Sequence, residues 1–120
     1  MVSKIVIYIA GKVTDKTAEL IKKNIAIAED YGVKVALLGH TVILPHTMFT
    51  MDMQSALTTK SKKGYDRIME MCLVLVERVD AILLLPNWQN SKGSKKEYKY
   101  ALKLNKHIFY QLDEIPKIKN

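Results

Sequence analysis

Acidic residues are scarce in this 120-residue chain: twelve Asp and Glu stand against nineteen Lys and Arg, for a formal charge of +7. That imbalance leaves nucleic acid, an anionic membrane surface and phosphorylated small molecules as partner classes, and charge alone does not choose among them. Cysteine is scarcer still. Cys72 stands alone, which excludes an internal disulfide and any multi-cysteine zinc site and fits a reducing compartment. Long apolar runs are also missing: the longest, Ile5 to Ala10 and Ala81 to Pro86, fall far short of the roughly 20 residues that cross a bilayer. Gly11, Lys12 and Asp15 interrupt the first run too early for a secretory signal, so the expected location is the cytoplasm, with no membrane partner. No internal repeat, low-complexity tract or metal-ligand spacing is present, and no metal or organic cofactor is implied.

What is present suits one globular domain over residues 1–120, with 48% hydrophobic residues to build a single core. Lys4 to Ala10 is a nearly unbroken β-branched run ending at Gly11, the pattern of a strand buried on both faces of a parallel sheet. Thr14 or Asp15 is placed to cap a helix in which Ile21, Ile25, Ala28, Val35 and Leu38 keep helical spacing up to a stop at Gly39. Gly32 inside it costs about 1 kcal/mol relative to alanine, so a break with a short strand from Val33 to Leu37 competes; the long helix is preferred. Thr41 to Leu44, before Pro45, is the second strand. From His46 to Gly64 no period emerges, and a surface excursion or lid is expected.

Ile68, Cys72, Leu75 and Val79 then form the stripe of a helix that stops at Asp80. Ala81 to Leu85 is the third strand, and Pro86 to Asn90 the loop at its carboxyl end. A last helix is expected from about Ser94, with Tyr98, Ala101 and Leu102 toward the sheet and Lys92, Lys95, Lys96, Lys99, Lys103 and Lys106 mostly outward. His107 to Leu112 closes the chain as the fourth strand. Strands alternating with helices imply a four-stranded parallel sheet in a three-layer α/β sandwich, flavodoxin-like or Rossmann-like. Such sheets bind ligands beyond the carboxyl ends of the strands where their order reverses, here Gly11 to Thr14 and Asn87 to Glu97.

Glu97 is the most informative residue, because it lies on the side of the last helix that turns toward the sheet. Two readings stand side by side. Ser94-x-x-Glu97 fits a capping box, and a glutamate near a helix N-terminus is also kept ionised and able to attack an electrophilic carbon. Ser91, Lys92, Gly93 and Ser94 suit either an anion site such as phosphate or an ordinary turn, and Gly11 serves any tight strand-to-helix connection.

The run Asp80-Ala81-Ile82-Leu83-Leu84-Leu85-Pro86-Asn87-Trp88-x2-Ser91-Lys92-Gly93-x3-Glu97-Tyr98-x2-Ala101, with Tyr8-Ile9-Ala10-Gly11 near the start, resembles the nucleoside 2-deoxyribosyltransferase-like superfamily over roughly residues 4 to 110. It is similar to a small branch that reads Tyr-Ile-Ser-Gly-Pro at the first turn, where this chain has Ala10 for the serine and Lys12 for the proline. The resemblance implies Glu97 as the nucleophile of a retaining reaction at C1′ of a deoxyribose. It matches Ser91 to the phosphate-holding serine of deoxynucleoside 5′-monophosphate N-glycosidases, where the transferases carry aspartate. The family's acidic partner falls near Cys72, which is most simply a core residue.

For that missing role Asp66 is the candidate kept, with Asp52 behind it, and each also reads as a solvated residue. Asp80 lies at the far end of its strand and suits a helix stop. His46, after Pro45, is placed to reach a base or phosphate, or to sit on the surface. Tyr8 and Trp88 are placed to stack on a base or simply to pack, and with Gly11, Asn87, Ser91, Gly93 and Ser94 they complete the expected binding residues. The expectation is a nucleotide-binding N-glycosidase or 2-deoxyribosyltransferase acting on a nucleoside or nucleotide, and the resemblance implies a homo-oligomer. Two rivals remain: a non-catalytic nucleotide sensor or sequestering protein, and a basic nucleic-acid-binding module.

Overall fold

A computed structural model describes residues 2–119 of the chain. Four parallel strands, β1 (Val6–Ala10), β2 (Thr41–Ile43), β3 (Ala81–Leu84) and β4 (His107–Phe109), form one sheet in the order β2-β1-β3-β4. The chain steps from β1 to β2 on one side and then crosses to β3 and β4 on the other. The order therefore reverses between β1 and β3, the arrangement of a flavodoxin-like α/β fold.

Alternation along the strands sorts the core into two halves. Ile7, Ile9, Leu83 and Leu85 turn to one face, where Ala28 and Val35 of α1 (Ala18–Leu37) cover them. Tyr8, Ala10, Ile82 and Leu84 turn to the other, against Met69, Cys72 and Val76 of α4 (Gly64–Arg78) and Ala101 of α5 (Lys92–Lys103). With both faces covered, the strands read as continuous apolar runs, which is why they are visible in the sequence. Among the described residues no helix is long and apolar enough to cross a membrane.

Several local expectations are corrected. Thr17, rather than Thr14 or Asp15, caps α1: its side chain accepts from Leu20 N at 3.1 Å, while Asp15 accepts from Lys16 N and Asn24. The helix runs through Gly32 and stops at Gly39, whose φ of +101° favours glycine. Strand β2 ends at Ile43, and β4 at Phe109, before a 3-10 turn at Leu112–Glu114.

The excursion after β2 is ordered. It holds α2 (Pro45–Met48), begun by a proline at its first position, and α3 (Met51–Ala56), capped by the Thr50 hydroxyl. The start of α4 is packed tightly on the end of α3: a Cβ at Gly64 would lie 1.7 Å from the Gln54 carbonyl oxygen. The buried stripe of α4 is centred on Met69, Cys72 and Val76, with Ile68 and Leu75 only half-buried at its margin. Leu102 lies exposed rather than against the sheet. Asp80 anchors the amino end of the sheet, accepting from Val6 N at 2.8 Å.

Candidate functional site

Over the carboxyl ends of β1, β2 and β3 lies a hollow of about 530 Å³. Its floor begins with the turn after β1. There Leu85 N donates to Ala10 O at 2.9 Å, and a Cβ at Gly11 would come within 2.4 Å of the Leu85 side chain. Only glycine allows this approach. Lys12 N donates to Asn87 Oδ1 at 3.0 Å, joining the turn after β1 to the loop after β3.

On the opposite wall α5 begins at Lys92, not Ser94. Ser91 is its N-cap, with its hydroxyl accepting from Ser94 N at 3.1 Å. The capping box is therefore absent, and the Glu97 carboxylate is free for another partner. That partner is Tyr8: its hydroxyl donates to Glu97 Oε2 from the middle of β1. Both are buried, Glu97 at 6% exposure, and Glu97 lines the hollow.

Burial is the largest influence on the charge of Glu97. It lifts the carboxyl to about 8 from its ordinary value near 4.5, against the hydrogen bond from Tyr8, which favours the ionised form. The expected help from the helix N-terminus does not hold Glu97 ionised, because it sits in the second turn, beyond the reach of the terminal dipole. Glu97 is thus mostly protonated at neutral pH. Burial, then the charge of Glu97, keeps the Tyr8 hydroxyl protonated well above its usual range. The same two causes push Cys72 up to about 12, so it lines the hollow as a thiol.

Two further polar groups are buried without hydrogen-bond partners: both ring nitrogens of His46 and the Ser94 hydroxyl. Each belongs to a residue of the hollow wall. His46 is 3% exposed, and burial lowers it to about 4, so its ring is neutral. The backbone of Gly11 and Lys12 beside the ring opposes that shift without the geometry of a hydrogen bond.

Of the residues singled out in the sequence, Gly11, His46, Ser91, Gly93, Ser94 and Glu97 meet around the hollow. Four do not. Tyr8 is wholly buried beneath Glu97 and unable to stack on a ligand. Asn87 serves the turn after β1, and Trp88 packs on Tyr98 with ring centroids 4.7 Å apart. Asp66 is exposed on α4 outside the hollow, as Asp52 is on α3. The wall also contains residues the sequence did not mark: Phe49, Gln54, Lys63 and Tyr65.

A family model described as a domain of unknown function (DUF4406) matches residues 5–110. The chain belongs to the DUF4406 family. The match spans all four strands and the whole hollow wall, so the site is a feature of a DUF4406 domain and not of an appended segment. No curated protein matches this DUF4406 chain.

Proposed function

We propose that this DUF4406 protein binds a 2′-deoxynucleoside 5′-monophosphate and cleaves its N-glycosidic bond through Glu97, which would make it a member of the nucleoside 2-deoxyribosyltransferase-like superfamily. The observation that carries the reading is a carboxyl group buried in a ligand-sized hollow at the reversal of strand order, held by a hydroxyl from the adjacent strand. At the α5 N-terminus the Lys92 and Gly93 amides have no capping partner, and Lys63 and Lys92 add positive charge to the hollow wall. That combination suits a phosphate.

In the reaction, a Glu97 carboxylate oxygen bonds to C1′ as the C1′–N bond breaks, its electron pair leaving with the base, which takes a proton from solvent. Water then attacks C1′, losing a proton, and the carboxylate departs, so two displacements retain configuration. A second nucleobase in place of water gives transfer. The test is incubation with each of the four deoxynucleoside monophosphates and chromatography for free base, with Glu97→Gln alongside. Base release lost in that variant supports the enzyme.

A second reading, a nucleotide sensor that binds without turnover, is favoured by one observation. Among the described residues Glu97 is the only carboxylate lining the hollow, and burial keeps it protonated at neutral pH. Tight binding without base release supports the sensor. Cys72→Asp, which adds an acid on the stripe facing Glu97, then separates the two: gain of base release identifies a site lacking only its proton donor. A nucleic-acid module predicts instead oligonucleotide binding that falls steeply with salt and ignores Glu97→Gln.

A further inference from the structure

The exposed side of α5 carries one sign of charge. Lys92, Lys95, Lys96, Lys99 and Lys103 are all exposed, and the helix has one acid, Glu97, buried on its inner face. With 3.6 residues per turn, Lys92, Lys96, Lys99 and Lys103 form a straight row about 16 Å long with a charge about every 4.5–6 Å, and Lys95 borders it. Among the described residues none of the five is ion-paired. Glu77 of α4 accepts from the Tyr100 hydroxyl at 3.1 Å rather than from one of these lysines. The other long helices, α1 and α4, mix both signs along their length.

Nothing in the fold accounts for such a row. Lysines three or four residues apart on a helix repel one another, and Lys92 and Lys95 stand in the first turn, at the end of the helix dipole where cations are disfavoured. A polyanion laid along the row supplies the missing opposite charge. Its chemistry follows from what else α5 offers. Protein interfaces are depleted in lysine and built on aromatic or Arg anchors. A membrane-surface helix needs an apolar face free to enter lipid, whereas that of α5 is packed on the sheet. Evenly spaced ammonium groups with no apolar face to offer match a backbone of regularly repeating phosphates.

We propose that the outer face of α5 binds the sugar-phosphate backbone of nucleic acid, without regard to sequence. The surface does not rest on the nucleotide reading and stands together with it, because the lysines and Glu97 leave opposite sides of the same helix. Lys92 also lines the hollow, so the row begins at its mouth.

The test is fluorescence anisotropy of a labelled oligothymidylate titrated with three proteins across a salt series. These are the wild type, a Lys96→Gln, Lys99→Gln, Lys103→Gln variant, and a Lys16→Gln, Lys22→Gln, Lys23→Gln variant that loses the same charge from exposed positions at the start of α1. At about 0.1 M salt the α5 variant is expected to bind about a hundredfold more weakly, with the slope of log K against log salt shallower by about 2, the values for three phosphate contacts to a single strand. The α1 variant stays within about threefold of the wild type, the effect of net charge at a distance. Equal losses in the two variants, both shown folded by thermal melting, overturn the assignment to α5. An oligothymidylate that the wild type does not bind overturns it too. Polyglutamate of matched charge bound as tightly as the oligonucleotide overturns the phosphate assignment. Phosphatidylserine vesicles bound through the α5 lysines more tightly than the oligonucleotide make the face a membrane surface and overturn the proposal.

Discussion

Two hollows open near the carboxyl edge of the same sheet, on opposite faces, and the larger has the less chemistry. One of about 760 Å³ lies on the α1 face between Tyr31, Leu38, Pro86 and Leu112; of its ionisable side chains Lys34, Tyr110 and Asp113 are exposed and Tyr31 is half-buried. The other, about 530 Å³, holds Glu97, His46 and Cys72, each buried and each shifted toward its neutral form. Volume follows from how helices lie on a twisted sheet. A carboxyl group taken out of water needs compensation, and here the compensation is one hydroxyl. The comparison teaches that burial of an ionisable group is a better guide to a candidate site than size.

The sharpest way to break that comparison is to disable each hollow in turn. Glu97→Gln is expected to lower base release about a thousandfold or more, as loss of a nucleophile does, whereas Tyr110→Phe across the sheet leaves it unchanged, both read by chromatography at matched protein concentration. Equal effects would erase the distinction.

The next effect concerns stability. Glu97 is raised to about 8 in the folded protein and returns to about 4.5 on unfolding. Its protonated form is therefore preferred by the native state. The resulting stability is complete below about pH 4.5 and is lost as pH rises toward 8, by on the order of 1.4 kcal/mol per pH unit within that window. Glu97→Gln should flatten that part of the profile, as measured by urea midpoints from pH 5 to 8. A parallel loss in both proteins would mean that Glu97 is not the titrating group.

Tyr8→Phe removes the donor that favours the ionised carboxylate. Its expected signature is a rising limb of activity displaced to higher pH, with a neutral-pH rate lower by about tenfold for a shift of one unit. An unmoved limb with a lower plateau would instead make Tyr8 a packing residue. Gly11→Ala should cost about 1–3 kcal/mol, because the new methyl overlaps Leu85. Leu37→Ser, at the rim of the larger hollow and highly exposed, is expected to change stability by no more than about 0.5 kcal/mol. Both are read from denaturation midpoints.

The sheet and the long helices were legible because doubly buried strands read as continuous apolar runs and amphipathic helices repeat every 3.6 residues, and the 20-residue α1 outweighs one internal glycine. Helices of four and six residues present barely one turn, too little for a period, so α2 and α3 fell within the surface excursion expected after the second strand. At the site, Glu97 was visible as a carboxylate on an inward face, yet the capping-box reading placed the cap three residues late. Its true partner, Tyr8, lies 89 residues away, a pairing that only parallel strand order creates. His46 illustrates the same boundary: a histidine after a proline reads equally as surface or site until the turn after β1 closes over it. Asp66 lies in the first turn of α4 and is exposed outside the hollow, as a side chain leaving the helix away from its buried stripe must be.

Strand β1 is clasped at both extremities by side chains that flank β3, Asp80 receiving the Val6 amide and Asn87 the Lys12 amide. Midway between these fastenings stands the phenol that orients the buried acid. Its position is thus settled when the chain folds, and on the proposed reading a guest molecule would meet a carboxyl already aimed, with little conformational entropy left to surrender on arrival.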